Sequence, residues 1–296
     1  MDTILSTHRL RNFVQAALLL LALTGLMATV GWLLAGPWGV VLAGGTAGVL
    51  LMVSPRVPTR WVLRMHGARA LHPAEATWLF ETVHALAARA GVPRSPHLYL
   101  LPSPSPTAFA VGERDDAALA LSTGLVRLLS PRELEAVLAH ELSHIRHRDT
   151  FVMRLASTFG AITRSLRAVG LLLLVLYLPM VAAGEAHFSF FAVILLLAAP
   201  VITDALQLAL ARSRELDADL GAVRLTGDPV ALASALVRLE HASRGLWERL
   251  LGVHVPTVPP WLRTHPSTEE RVRRLRALEP PDDHPRRGPW VPLRSW

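Results

Sequence analysis

The chain has no cysteine. That excludes a disulfide framework and a thiolate metal site, and leaves His, Asp and Glu as the side chains able to hold a metal. Lysine is missing too, so all 30 basic residues are arginine. Charged residues are scarce, 18% of 296, and the mean hydropathy of +0.36 is high for a soluble protein. The formal charge of +7 raises nucleic acid as a partner. The arginines, however, flank apolar runs instead of forming aromatic-interleaved patches, so no nucleic-acid partner is expected. No repeat at solenoid periods is present.

Long apolar runs are what the chain does have. Residues 13–36 carry no charge over 24 positions, and at about 1.5 Å per residue such a run crosses a hydrocarbon core of roughly 30 Å. A second uncharged run, 37–53, follows at once, which a cleaved signal peptide would not show. Together they predict a hairpin turning at Gly36-Pro37, with Gly39, Gly44, Gly45 and Gly48 packed against the first helix. Runs at 168–184 and 188–211, parted by Glu185, Ala186 and His187, predict a second hairpin; a buried helical pair in a soluble bundle is the other reading. Arg9 and Arg11 precede the first hairpin and Arg56, Arg60, Arg64 and Arg69 follow it. Positive flanks of this kind place both ends, and the segments beyond them, in the cytoplasm. The expected order is a hairpin over 1–54, globular sequence over 55–167, the second hairpin over 168–211, globular sequence again over 212–279 and a disordered tail over 280–296.

Within 55–167, residues 73–90 have helical apolar spacing and stop at Gly91. Short strand-like runs occupy 97–101 and 117–121, with the apolar piece 108–111 between them, so a small sheet is expected. Ser130-Pro131-Arg132-Glu133 is a capping box with proline at the first helical position. The helix it launches carries His140, Glu141 and His144.

Two histidines four apart on a helix project from one face and can chelate a single zinc ion, and Glu141 flanks them. With zinc lowering the pKa of a water towards about 7, such a carboxylate takes its proton and returns it to a leaving amine, which is peptide hydrolysis. A third ligand is needed. A histidine six positions beyond His144 would supply it in one known pattern, but Thr150 stands there and His147 is out of phase, hence expected to be solvated. Glu215 and Asp219 share a helix face, so one could bind metal while the other orients an imidazole. His144 and Glu215 lie 71 positions apart with two candidate spans between them, an even number that returns both to one side of the membrane.

Four stretches in order, 121–125 (Leu-Ser-Thr-Gly-Leu), 135–144 with Asp149, 214–219 and 264–267 (Thr-His-Pro-Ser), give the chain a likeness to a known family. It resembles the HtpX-like membrane metallopeptidases, related to the CAAX prenyl proteases, over about residues 73–278. The resemblance implies a mainly α membrane protein (α+β) with two transmembrane hairpins and a gluzincin-type domain containing a small β-sheet. It implies one zinc per chain held by His140, His144 and Glu215, with Asp219 behind a ligand histidine. Glu141 would be the general base and His265 a donor to the tetrahedral oxyanion. It also implies that Phe109, Ala110 and Val111 form an edge strand that pairs with substrate. The family usually has asparagine where Thr107 stands, which puts one substrate contact in doubt.

The expected function is therefore a multi-pass zinc endopeptidase of the cell membrane. Its protein substrates would be unfolded or membrane proteins cut in quality control. A zinc-binding scaffold or sensor without activity and a CAAX-type processing peptidase are the alternatives. Cleavage inside the membrane is disfavoured because Arg132, Glu133, Arg146 and Arg148 surround the motif.

Overall fold

The computed structural model describes residues 2–53, 59–112, 116–182, 190–251 and 266–279. Helix α1, Asp2–Val53, is two helices joined at a sharp reversal where Ala35 and Gly36 leave helical geometry, Gly36 at φ 58°. Glycine tolerates that positive φ without steric cost, and Pro37 then fits the start of the returning arm. Beyond the turn the arms touch at Gly31 and Gly39, where a Cβ on either would strike the other's carbonyl. The predicted hairpin is thus present, but its packing differs from expectation. Gly44, Gly45 and Gly48 have nothing within contact of a Cβ position, so only Gly39 of the four makes the close approach. Below the turn the arms meet instead through Leu23, Met27, Ala43 and Ala47.

A short helix α2, Thr59–Met65, leads to strand β1, Arg69–Ala70. One 3-10 turn, Pro73–Glu75, precedes helix α3, Thr77–Ala90, which Gly91 ends in the left-handed region. The helix expected over 73–90 is therefore broken near Ala76. Strands β2, His97–Leu101, β3, Ala108–Val111, and β4, Ala118–Ser122, follow. The sheet order is β1-β2-β4-β3, with β2 and β4 parallel and β3 an antiparallel edge. Helix α4, Thr123–Leu128, then gives way to α5, Pro131–His147. The capping box at Ser130 and Glu133 is complete, a feature worth about 1 kcal/mol to a helix terminus.

Arg148, in the left-handed region, turns the chain from α5 straight into α6, Asp149–Ala182. Helix α7, Phe190–Thr226, returns along it. Both reach well past the predicted apolar runs, because a helix satisfies its own backbone whether its side chains are apolar or charged. Among the described residues, three helices are long and apolar enough to cross a membrane: α1, which reverses midway, α6 and α7. Helix α8, Pro229–Leu251, and helix α9, Thr268–Arg276, complete the described chain. His265 and the tail over 280–296 lie outside the described residues.

Two cores result. One holds α3, the sheet, α5 and the carboxyl-terminal part of α7 with α8 and α9, through fully buried side chains such as Leu119, Leu138, Leu142 and Leu232. The other joins α1, α6 and the amino-terminal part of α7 through Leu23, Val30, Phe159 and Leu196. Each leucine buried in the first core contributes about 1.5–3 kcal/mol relative to exposure to water, whereas the second core, on helices that cross the membrane, is held by close packing. Helix α7 belongs to both, and so fixes the membrane-spanning part against the site.

Candidate metal centre and active site

The site is built where α5 and α7 cross. Ser143 is fully buried on α5, and Gly221 of α7 sits so close that a Cβ there would strike its side chain. That approach brings Glu215 over the exposed ends of two imidazoles. The Nε2 atoms of His140 and His144 are 3.2 Å apart, and Glu215 carboxylate oxygens lie 3.5 Å from the first and 3.7 Å from the second. One donor atom from each of the three falls within 4.8 Å of the others. Tetrahedral zinc with bonds of about 2.0–2.1 Å needs ligand atoms about 3.3–3.4 Å apart. The donor set fits.

The other ring nitrogens explain the orientation. His140 Nδ1 faces Asp219 at 3.0 Å, and His144 Nδ1 faces Asp149 at 2.7 Å. A carboxylate at Nδ1 keeps the proton there and turns the Nε2 lone pair inward. Two such lone pairs and a carboxylate facing one another repel unless a positive charge lies among them. The electrostatics of His140 agree: burial works against its charged form, but Asp219 and Glu215 outweigh burial and the nearby Arg271, raising its pKa to about 9. The pocket draws positive charge, whether a proton or a metal ion.

Arg271 of α9 was not singled out by sequence. It donates from Nε and one terminal nitrogen to the two oxygens of Asp219 at 2.8 and 2.6 Å, and approaches Glu215 at 3.4 Å. Burial opposes its charge, yet Asp219 and Glu215 raise its pKa above the ordinary range. No local spacing could have revealed a pair separated by 52 positions. Asp149 stood within a quoted motif without a role; it now meets His144 and, at 3.7 Å, Arg214, which pairs with Asp217 at 2.9 Å. His147 is half-buried with its ring against Gly221, not solvated as expected.

Glu141 does not join the three donors. Its Oε2 accepts the Ala110 backbone N–H at 3.0 Å, so the carboxylate lies against the outer edge of β3. Thr107 exchanges backbone and side-chain hydrogen bonds with Ser122 on β4. By strand alternation Phe109 and Val111 turn their backbone groups to β4, whereas Ala108 and Ala110 turn theirs outward. A cleft of about 640 Å³ runs past this edge, lined by Thr107, Phe109, Glu141, Glu215 and Arg271 with apolar Leu232 and Leu236.

Side chains able to hold a metal on an H-E-x-x-H helix, beside a sheet edge and with helices long and apolar enough to cross a membrane, point to a class: multi-pass membrane metalloproteases. The chain belongs to peptidase family M48, whose family model matches residues 73–279. Similar proteins include a protease HtpX homolog of Sulfurihydrogenibium sp., 34% identical over 291 residues and covering 90% of this chain and 96% of that protein. Another, from Methylibium petroleiphilum, is 31% identical over 283 residues and covers 91% and 98%. Among solved structures, the Ste24p of S. mikatae matches with a TM-score of 0.51 at 18% identity. It covers 93% of this chain, which spans 65% of that longer one, and the likeness is one of fold. The resemblance carried by the four sequence motifs is thereby confirmed.

Proposed function

We propose that this metalloprotease is a zinc-dependent endopeptidase in which His140, His144 and Glu215 hold the metal and Glu141 is the general base. The observation that carries this is the position of Glu141, beside three convergent metal donors and hydrogen-bonded to the outer edge of a strand. A zinc ion bound there would acidify a water and polarise a peptide carbonyl. Glu141 takes a proton from the attacking water on its carboxylate and delivers it to the leaving nitrogen. Asp219 and Asp149 keep the two imidazoles turned, each holding a proton at Nδ1. His265, which lies outside the described residues, is assigned to the developing oxyanion on the family resemblance.

Substrate enters as an extended segment along Phe109, Ala110 and Val111, paired through the outward backbone groups of Ala108 and the Ala110 carbonyl, the Ala110 N–H being held by Glu141. Strand addition reads backbone more than side chain, which suits unfolded protein. With the membrane helices alongside, the substrates are unfolded or membrane proteins cleared in quality control at the cell membrane. The arginines around the first hairpin support a cytoplasmic amino terminus and active site. The hairpins at 1–54 and 168–211 anchor a catalytic unit formed jointly by 55–167 and 212–279.

The test is metal removal. Detergent-solubilised protein stripped by a chelator loses cleavage of unfolded casein, and one equivalent of zinc per chain restores it. Cleavage that survives complete zinc removal would overturn the proposal.

A further inference from the structure

Helix α2 follows the returning arm of the membrane hairpin after only five residues. Its inner side is anchored. Leu63, 1% exposed, packs with Leu101, Ala118, Ala120 and Phe109 on one face of the sheet. Thr59 Oγ1 donates to the Asp116 carbonyl at 3.3 Å, and the His66 ring meets Phe109 at 5.5 Å between centroids. Helix α2 therefore lies along β3 and covers the sheet on the side away from α3 and α5.

Its outer side is unusual for a surface in water. Trp61 is 58% exposed and Met65 70%. At about 100° per residue they stand about 40° apart and opposite Leu63. Arg60 and Arg64, both exposed, lie together on one side of that stripe, and neither pairs with a carboxylate among the described residues. A tryptophan and a methionine presented outward beside two free arginines suit one environment, the junction between lipid headgroups and acyl chains. The adjoining end of the hairpin points the same way, with Val49 59% and Met52 88% exposed.

We propose that α2 is a membrane-surface helix: Trp61 and Met65 dip into the interface, Arg60 and Arg64 bind anionic headgroups, and β3 is thereby held beside the bilayer. If β3 pairs with substrate, a consequence that rests on the reading above, the segments it reaches are those emerging close to the membrane surface. This gives the cleft a preference by location that its own lining does not supply.

Because the chain has no cysteine, a single introduced cysteine is a unique labelling site. Met65→Cys and Trp61→Cys, each carrying a nitroxide, are compared with Val230→Cys at the start of α8. Val230 is 47% exposed and follows the end of α7 remote from its membrane-spanning half. The full-length proteins are reconstituted in phosphatidylcholine vesicles with phosphatidylglycerol, and an unchanged circular-dichroism spectrum verifies folding. Labels at 61 and 65 should show a ratio of oxygen to aqueous-nickel accessibility several-fold above that at 230. Omitting phosphatidylglycerol, or adding Arg60→Gln and Arg64→Gln, should lower that ratio. Labels as open to nickel as the one at 230 would overturn the proposal, and so would labels shielded from both probes, which would mean a protein contact. Neither readout involves cleavage, so this inference and the peptidase reading fail separately.

Discussion

His140 and His144 sit one turn apart on the same helix, yet they are held by different means. His140 is the more enclosed, its side chain 9% exposed against 20% for His144. Its carboxylate partner Asp219 is gripped at both oxygens by Arg271, from a helix 52 positions away in sequence. His144 leans on Asp149, the first residue of α6, five positions on. The support behind Asp149 is looser, with Arg214 at 3.7 Å. One imidazole is thus positioned by long-range packing and the other by a local turn. The difference teaches that two histidines one turn apart on a helix need not tolerate the same damage.

Removing an imidazole outright should abolish the contrast. His140→Ala and His144→Ala are each expected to lose stoichiometric zinc and all measurable cleavage, as read by metal analysis of the purified protein. Equal zinc retention by either variant would show that the three-donor site is misassigned. The partners should separate the two arms. Loss of a carboxylate behind a ligand histidine costs roughly 10–100-fold in metal affinity, so both Asp219→Ala and Asp149→Ala should fall in that range. Asp219→Ala alone also takes from the buried Arg271 the partner it grips at both oxygens, leaving it Glu215 at 3.4 Å, and so adds a stability loss below the roughly 3–5 kcal/mol of a fully unpaired buried charge. Thermal or denaturant unfolding of the two variants should therefore diverge, with Asp219→Ala much the weaker. Matching losses would erase the asymmetry. The smallest effect is expected from Arg271→Lys, which keeps the charge but not the two-pronged grip. It should weaken zinc binding less than Asp219→Ala, with little change in the KM for casein.

The same asymmetry governs what the sequence reveals. Everything local to α5 was legible: the capping box at Ser130 and Glu133, the one-turn spacing of His140 and His144, and Glu141 beside them. The Glu215 and Asp219 pair was legible as a shared face, though only the fold shows both reaching the imidazoles of α5. Arg271 was not, since a single arginine in a helix rich in them has no signature until α9 docks. The boundaries of the membrane segments were blurred for another reason. The runs were bounded at 168 and 211 by loss of apolar character, but α6 begins before the first bound and α7 continues past the second, with Arg164 and Asp204 paired across the helices at 3.1 Å. The turn at Gly36 was read correctly from its Gly-Pro pair. Which glycines pack was not, because contact depends on the rotation of each arm and not on glycine content.

The account stands most directly on Glu141. Wild type and Glu141→Gln should each copurify about one zinc per chain, since Glu141 is not among the donors, and their cleavage of unfolded casein should differ by orders of magnitude in rate. A Glu141→Gln variant that binds zinc and cuts casein as fast as wild type would contradict its role as the base, and with it the proposed mechanism.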